Sequence, residues 1–367
     1  MKYDEVARVI ERRVRLGDYI LTGIPGEREL AIEQGVSPMT ARKAVQKLVD
    51  EKVLVRRPNG RLQTNTANNG DQSGRELQIG YLAPAYESPE TSFWRCAASS
   101  LKVDFPYKVR PVTFVHWEDP IVADAVNSFD GIVLVCPAEP IPGFVSEILR
   151  TASSFIVSME MNLSHLGIPS LCLFPPTAIH RLLRHLYDLG HRTIDCLSTQ
   201  PMDPICRDRL AQWRTWCDIH DVQGSLHLHP VNSFEPALPR AYSVMNELLS
   251  SGSFNATAVL CITEPAAVGC LRAIHEHGLV AGKDISVCVV NDEGLARYLT
   301  PTLTALERVD PVPYISMYAR HMASGKKEWD GPLVIHPDEV PLFVGESTGP
   351  APVLTHVRDF DRVTSTI

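Results

Sequence analysis

Between residues 28 and 61 the chain gathers side chains that bind phosphate and read base edges. Arg28 comes first, then Ser37, Pro38, Thr40, Arg42 and Lys43, and then Arg56, Arg57, Asn59, Gly60 and Arg61. Guanidinium and ammonium groups neutralise phosphates, while short hydroxyls and amides bond to phosphate oxygens or to base edges. Basic groups at helical spacing often do no more than face solvent. What matters is the frame that holds them.

That frame is legible. A helix starting after Pro25-Gly26 carries Leu30, Ala31 and Ile32, with Val36 beyond it. Gly35 ends it, because a residue without a side chain tolerates the left-handed cap. Ser37 fits an N-cap and Pro38 a first turn, and Ala41, Ala44, Val45, Leu48 and Val49 then recur at helical spacing. Burying that stripe leaves Pro38, Met39, Thr40, Arg42 and Lys43 at the exposed N-terminal end. In a helix-turn-helix this is the end that enters the major groove. Next, LVRRP and RLQT flank Asn59-Gly60, two residues that tolerate positive φ and mark a hairpin. A basic two-stranded wing is expected.

Charge supports the same division. Residues 1–65 hold 13 Lys+Arg against 9 Asp+Glu, a net of +4, and residues 66–367 hold 22 against 34, a net of −12. A basic head on an acidic body can approach DNA while the body avoids non-specific adhesion. No apolar run approaches the ~20 residues that span a bilayer, and no signal-peptide pattern opens the chain, so a cytoplasmic protein without membrane contact is expected. The nine cysteines lie mostly in apolar runs such as IVLVC and SLCLF and form no C-x-x-C pair. Buried reduced thiols are therefore expected, with no metal site and no disulfide framework. The histidines show no metal spacing either, and His185, His191, His227 and His229 read as capping or surface residues.

Residues 64–76, TNTANNGDQSGRE, have almost nothing to bury and read as a linker. Beyond them, short apolar runs at 77–83, 109–115, 129–136, 154–159, 170–174, 193–198, 225–230, 257–262 and 285–290 alternate with amphipathic stretches. TAIHRLLRHLYDLG and EPAAVGCLRAIHEHG are two such stretches. Strands apolar on both faces, separated by helices, imply parallel sheets covered on both sides, and roughly nine strands are too many for one small doubly wound sheet. The fold class is α/β: an N-terminal winged helix-turn-helix followed by two lobes of doubly wound parallel sheet. The expected organisation is 1–65 head, 66–76 linker, 77–350 two-lobed body and 351–367 tail.

Two family resemblances sit on these residues. Residues 1–65 resemble the winged-helix DNA-binding domain of GntR-type bacterial regulators, whose approximate pattern is L-P-S-E-R-E-L-A, G-V-S-R-x-T-V-R-x-A and L-V-R-R-x-x-G-R. This chain has Ile24-Pro25-Gly26-Glu27-Arg28-Glu29-Leu30-Ala31, then Gly35 to Ala44, with Gly26 in place of the serine and Pro38 in place of the arginine. Residues 77–350 resemble the effector domain of LacI/GalR-type repressors, which shares its fold with periplasmic sugar-binding proteins. The resemblance rests on His185-Leu186 through Leu189-Gly190-His191-Arg192, on Arg207-Asp208-Arg209-Leu210-Ala211-Gln212-Trp213, on 267–306 and on Val344 to Thr348. The combination is similar to arabinose-type repressors.

The resemblance implies an operator-binding repressor, homodimeric, on double-stranded DNA, controlled by a small effector in a crevice between lobes, with a sugar or sugar derivative as the ligand. Carried over by position, it implies effector contacts from Arg209, Glu160, Thr263, Glu264, Asn291 and Asp292, with Phe93 and Trp94 near the first strand's loop. Each has a plainer alternative. Arg209 could pair with Asp203, Asp208 or Asp218 on the surface, Asp292 could cap the following turn, and Trp94, Trp213 and Trp216 could be core. The chain lacks G-x-G-x-x-G after a strand, a P-loop, G-x-S-x-G and H-E-x-x-H. No catalytic residue, enzyme activity or cofactor is expected. An enzyme-derived body, or a head joined to a non-sugar effector domain, is the alternative.

Overall fold

The computed structural model describes residues 2–57, 60–64, 76–86, 88–326 and 328–352. Asn59, nearly all of the expected linker and the tail from residue 353 lie outside the described residues. The chain divides into two compact units. The first comprises Met1–Pro137, Ile141–Cys172 and Asp310–Ile335; the second comprises Ala138–Pro140, Leu173–Val309 and His336–Ile367.

The first unit opens with α1 (Lys2–Arg15), α2 (Glu27–Glu33), α3 (Pro38–Asp50), β1 (Leu54–Arg56) and β2 (Leu62–Thr64). Val6, Ala7 and Ile10 of α1 pack with Leu30, Ala44, Val45, Leu48, Leu54 and Leu62 in one buried cluster. Helix α2 ends as its glycine requires. Gly35 has φ +58°, and the amides of Val36 and Gly35 donate to the carbonyls of Ala31 and Ile32, the paired bonds of a Schellman cap. Ile32, expected among the apolar residues of this helix, is instead 82% exposed. A seven-residue helix presents one stripe inward, and Leu30 and Ala31 occupy it. Ser37 caps α3 by accepting from the Thr40 amide, and the Lys47–Asp4 ion pair at 2.8 Å ties α3 to α1.

The same unit continues through β3 (Leu77–Pro84), α4 (Pro89–Ala98), β4 (Tyr107–Phe114), α5 (Pro120–Ala125), β5 (Gly131–Val135), α6 (Gly143–Arg150), β6 (Phe155–Met159) and β7 (Ser170–Leu171). The second unit holds α7 (Ile179–Asp188), β8 (Ile194–Ser198), α8 (Pro204–His220), β9 (Leu226–Leu228), α9 (Ala237–Ser250), β10 (Ala258–Cys261), α10 (Glu264–Glu276), β11 (Ser286–Val289) and β12 (Thr304–Leu306). The chain then returns to the first unit for α11 (Val312–Ala323) and β13 (Val334–Ile335), and adds β14 (Leu342–Phe343) to the second.

Each unit contains a six-stranded sheet. The orders are β13-β7-β6-β5-β3-β4 and β14-β12-β11-β10-β8-β9, and all described pairings are parallel except β12 with β14. Strands β5 and β10 are buried along their whole length, as a sheet covered on both faces demands. Gly131 opens β5 beneath α11, where a Cβ would collide with the Met322 side chain. In both sheets the order reverses beside the first strand, between β3 and β5 and between β8 and β10. Ligands bind doubly wound sheets at the carboxyl ends of strands at such a point.

Polar groups fasten the interior of the second unit. His191 is fully buried, with Nδ1 2.8 Å from the Thr257 hydroxyl and Nε2 3.1 Å from the Gly349 carbonyl. His227 Nε2 lies 2.7 Å from Asp195 Oδ2. These two histidines, read as capping or surface residues, are structural partners, because the sheet edge and the final segment cover them. Seven of the nine cysteines are buried and all nine are free thiols. Burial pushes the Cys172 thiol up to about 12, with Glu160 adding to it.

A strap ties the head to the first sheet. Arg110 on β4 donates to the carbonyl of Gly17 and approaches Asp18 Oδ1 at 3.4 Å. Asp18 also pairs with Arg13 at 3.2 Å, and Arg13 with Glu33 at 2.7 Å. Ile20 and Leu21 pack against the core cluster that includes Val112, Phe114 and Trp117. Ion pairs open to water contribute ~0–1 kcal/mol, and these are about one-third exposed. Full burial of one aliphatic side chain contributes ~1.5–3 kcal/mol, so two partly buried ones, Ile20 and Leu21, together outweigh the pairs. Ile20→Asp is therefore expected to raise hydrogen exchange across residues 16–23 strongly, with Arg110→Ala raising it several-fold less. Equal effects of the two variants would place the strap's strength in the ion pairs.

Candidate functional site

Two separate regions collect the residues singled out from the sequence. In the head, Arg28, Pro38, Arg42 and Lys43 are exposed and Thr40 is half-buried. Helix α3 buries Ala41, Ala44, Val45 and Leu48, so Arg42 and Lys43 project from its solvent side near its N-terminus. Met39 beside them is 61% exposed. The Ser37 hydroxyl is engaged in capping and lies 2.9 Å from the Thr40 hydroxyl. The wing forms in register, with Leu54 opposite Thr64 and Arg56 opposite Leu62. The Arg57 amide donates to Arg61 O and the Gly60 amide to Arg57 O, and Gly60 has φ +80°. Arg56 pairs with Glu27 at 2.5 Å, which ties the wing to the first turn of α2. Arg57 donates to Gln63 Oε1. One module thus exposes a basic helix end and a basic hairpin.

The second region is the carboxyl pole of the second sheet, at its reversal point. Strands β10 and β11 run in register, Cys261 opposite Val289, so Thr263 and Asn291 leave neighbouring strand ends together. Gln200, following β8, donates to the Thr263 hydroxyl at 2.9 Å. Arg209, on α8, is 6% exposed. Its Nη1 donates to the Ile262 carbonyl at 3.2 Å, while its Nε has no partner. Asp203, one of its supposed surface partners, instead caps α8 by accepting from the Cys206 amide. Glu264, the first residue of α10, is 1% exposed and Asn291 8%. Asn291 Nδ2 donates to Glu293 Oε1 at 3.1 Å, which leaves Oδ1 facing elsewhere, and neither Asn291 Oδ1 nor Glu264 Oε1 meets a donor.

A buried polar atom without a partner costs about 1–3 kcal/mol. Three at one pole, two just past the adjoining strands β10 and β11 and one on α8, mark a place where a ligand could complete the bonding. Burial pushes the Glu264 carboxyl up to about 8, and the neighbouring Glu293 and Asp292 carboxylates add to the rise. The helix N-terminus beneath it favours the anion, but desolvation and two like charges prevail.

Five of the eight expected effector residues, Arg209, Thr263, Glu264, Asn291 and Asp292, lie at this pole. Asp292 Oδ1 accepts from the Gly294 and Ala296 amides at 2.7 and 3.2 Å, so that oxygen caps the following turn, as the plainer alternative had it. Gln200 and Glu293 were not singled out. Their signal was position alone, each just past an apolar strand run. Phe93, Trp94 and Glu160 lie in the first unit. Trp94 is 1% exposed and stands edge-on to half-buried Phe93 at 5.2 Å, so it packs the interior of α4 and offers no open aromatic plate. Trp213 and Trp216 are likewise buried. Glu160 has φ +60° and its amide donates to Leu171 O at 2.7 Å. A glutamate held in the left-handed region at a strand end is a strained conformation.

A carboxyl that holds its proton more tightly folded than unfolded stabilises the fold below its ordinary value of 4.5, and that contribution is lost as pH rises through about 8. Melting of the wild type should therefore fall between pH 5 and 8 by on the order of a few degrees more than that of Glu264→Gln. Parallel melting curves against pH for the two proteins would contradict this placement of the proton.

Known proteins share both regions. Residues 2–62 match the model for bacterial regulatory proteins of the gntR family, and residues 183–313 match the periplasmic binding protein-like domain. The chain is 25% identical over 177 residues to the ribose operon repressor of Haemophilus influenzae, covering 48% of this chain and 52% of that one. It is 25% identical over 183 residues to the HTH-type transcriptional regulator TreR of Escherichia coli, covering 49% and 52%. The chain thus spans about half the length of these curated relatives. Among solved structures, the dimeric Lac repressor with a C-terminal deletion superposes with a TM-score of 0.59 at 19% identity, over 75% of this chain and 100% of that one. A LacI family regulator from Enterococcus faecium with bound ribose gives 0.59 at 19%, over 74% and 99%. At that identity the structural likeness establishes the fold. The chain joins a gntR-type helix-turn-helix domain to a periplasmic-binding-protein-like α/β domain.

Proposed function

We propose that this protein is a sequence-specific transcriptional repressor acting in the cytoplasm. A homodimer grips a pseudo-palindromic operator in double-stranded DNA, and a small ligand, a sugar or sugar derivative, controls that grip from the carboxyl pole of the second sheet. One observation carries the DNA half of this reading. The helix that buries Ala41, Ala44, Val45 and Leu48 presents exposed Arg42 and Lys43 at its N-terminal end, in the same module as a paired basic wing. Relatives named as a ribose operon repressor and as the regulator TreR support the regulatory role. The ribose held by one structural neighbour and the unpartnered polar atoms of Arg209, Glu264 and Asn291 support a hydroxylated effector. No catalysis is assigned, and a sugar incubated with the protein is expected back unaltered.

Ligand control needs a difference in affinity between DNA-competent and DNA-incompetent states. The contact of Arg110, Ile20 and Leu21 supplies the link nearest the head, since the head is held on the first sheet by packed side chains.

The test uses duplex DNA selected by the full-length protein from a random pool. Arg42→Ala with Lys43→Ala should weaken binding and lower the slope of log affinity against log salt by about 1 for each phosphate that the helix end no longer neutralises. Wild-type affinity and slope in the double variant would remove this helix end from the DNA interface.

A further inference from the structure

The N-terminal end of α3 carries more than charge. Its first turn offers Pro38, Met39 and Thr40, followed by Arg42 and Lys43. Pro38 has no N–H to donate, and its ring holds no polar atom. The hydroxyls of Ser37 and Thr40 lie 2.9 Å apart, and the Ser37 oxygen also accepts from the Thr40 amide. Those hydroxyls are engaged in the cap. Arg42 and Lys43 carry charges that phosphates and guanine edges attract alike. The side chain that remains is apolar.

Met39 occupies the middle of the solvent face. At 3.6 residues per turn it lies about 180° around the helix from Leu48 and within about 60° of both Arg42 and Lys43. It is 61% exposed, whereas Ala41, Ala44, Val45 and Leu48 are fully buried. A single apolar side chain in water is ordinary on a protein surface. This one stands between two cations whose attraction to phosphates brings it against the bases. Its thioether is only a weak acceptor, and its unbranched chain adapts to an irregular surface. Among the base edges of the major groove, the apolar group that suits it is the 5-methyl of thymine.

We propose that Met39 is a specificity-determining residue, which selects thymine in each half-site through contact with the 5-methyl group. The inference rests on the reading that this end of α3 meets DNA. It adds which base group is recognised and by which side chain. The contact discriminates between bases and neutralises no phosphate, so it is separable from the contributions of Arg42 and Lys43.

The test starts from the duplex that the full-length protein enriches from a random pool. Each thymine in turn is replaced by deoxyuridine, which removes the methyl group and leaves the O4 acceptor and the base pairing as they were. At one thymine of each half-site the replacement should weaken binding about fourfold, the worth of one buried methyl group. Met39→Ala should abolish that difference, a coupling that a double-mutant cycle reads directly. The same variant should keep the wild-type slope of log affinity against log salt, because no phosphate contact is lost. Met39→Leu, still apolar and long, should retain the methyl effect, with circular dichroism showing each variant folded. Wild-type binding that no deoxyuridine replacement changes overturns the proposal. So does a methyl effect of equal size in the folded Met39→Ala protein. Both of these outcomes leave the DNA-binding reading standing, whereas a protein that enriches no duplex overturns that reading and the proposal together.

Discussion

A parallel sheet has no polar face to give to water. Its strands are joined by crossovers that lay helices on both sides, so the central strands are apolar on both faces and polar side chains collect mostly at sheet edges and strand ends. That constraint shapes this molecule. Strands such as β5 and β10 are buried throughout, and the chain concentrates its bonding groups just past the carboxyl ends: Gln200 after β8, Thr263 and Glu264 after β10, Asn291 to Glu293 after β11. The reversal of strand order between β8 and β10 spreads the connecting segments apart there, and Arg209 reaches in from α8.

The consequence is a pole whose electrostatics are set by burial rather than by pairing. Glu264 lies on a helix N-terminus that would ordinarily hold it as an anion, yet the absence of water and the nearness of two carboxylates raise it to about 8. Perturbed carboxyls of this kind cluster at functional sites. The Asp292 oxygen that caps its turn and the Asn291 amide that bonds Glu293 fix the orientation of their neighbours, so the unsatisfied atoms form a preorganised set.

The head obeys different physics. It is small, its core is one cluster from α1, α2, α3 and the wing, and its surface carries the positive charge that the body lacks. It is also attached in a way that a linker of Asn, Gly and Ser does not suggest. Ile20 and Leu21 reach the core of the first sheet and Arg110 takes the Gly17 carbonyl. A head held by packed side chains can report a change in the sheet that a loose tether would absorb.

Most of the head was legible in the sequence, because its signals are local. Gly35 must take a left-handed cap, Ser37 must satisfy a first-turn amide, and Gly60 must allow the hairpin, whatever the remainder of the chain does. The alternation of apolar runs and amphipathic helices likewise determined the α/β class, since both periodicities are read within a dozen residues. The short strands β12, β13 and β14 went unseen, two or three residues being too few to show a period, and so did the return of α11 and β13 to the first unit. Trp94 and buried His191 were decided only by tertiary structure, because burial and partner are set by residues far away in sequence, whereas the cap made by Asp292 on Gly294 and Ala296 is local. The same holds for the cluster at the second pole: Arg209, Glu264 and Asn291 are separated by dozens of residues, and only the register of parallel strands brings their unpartnered atoms to one place.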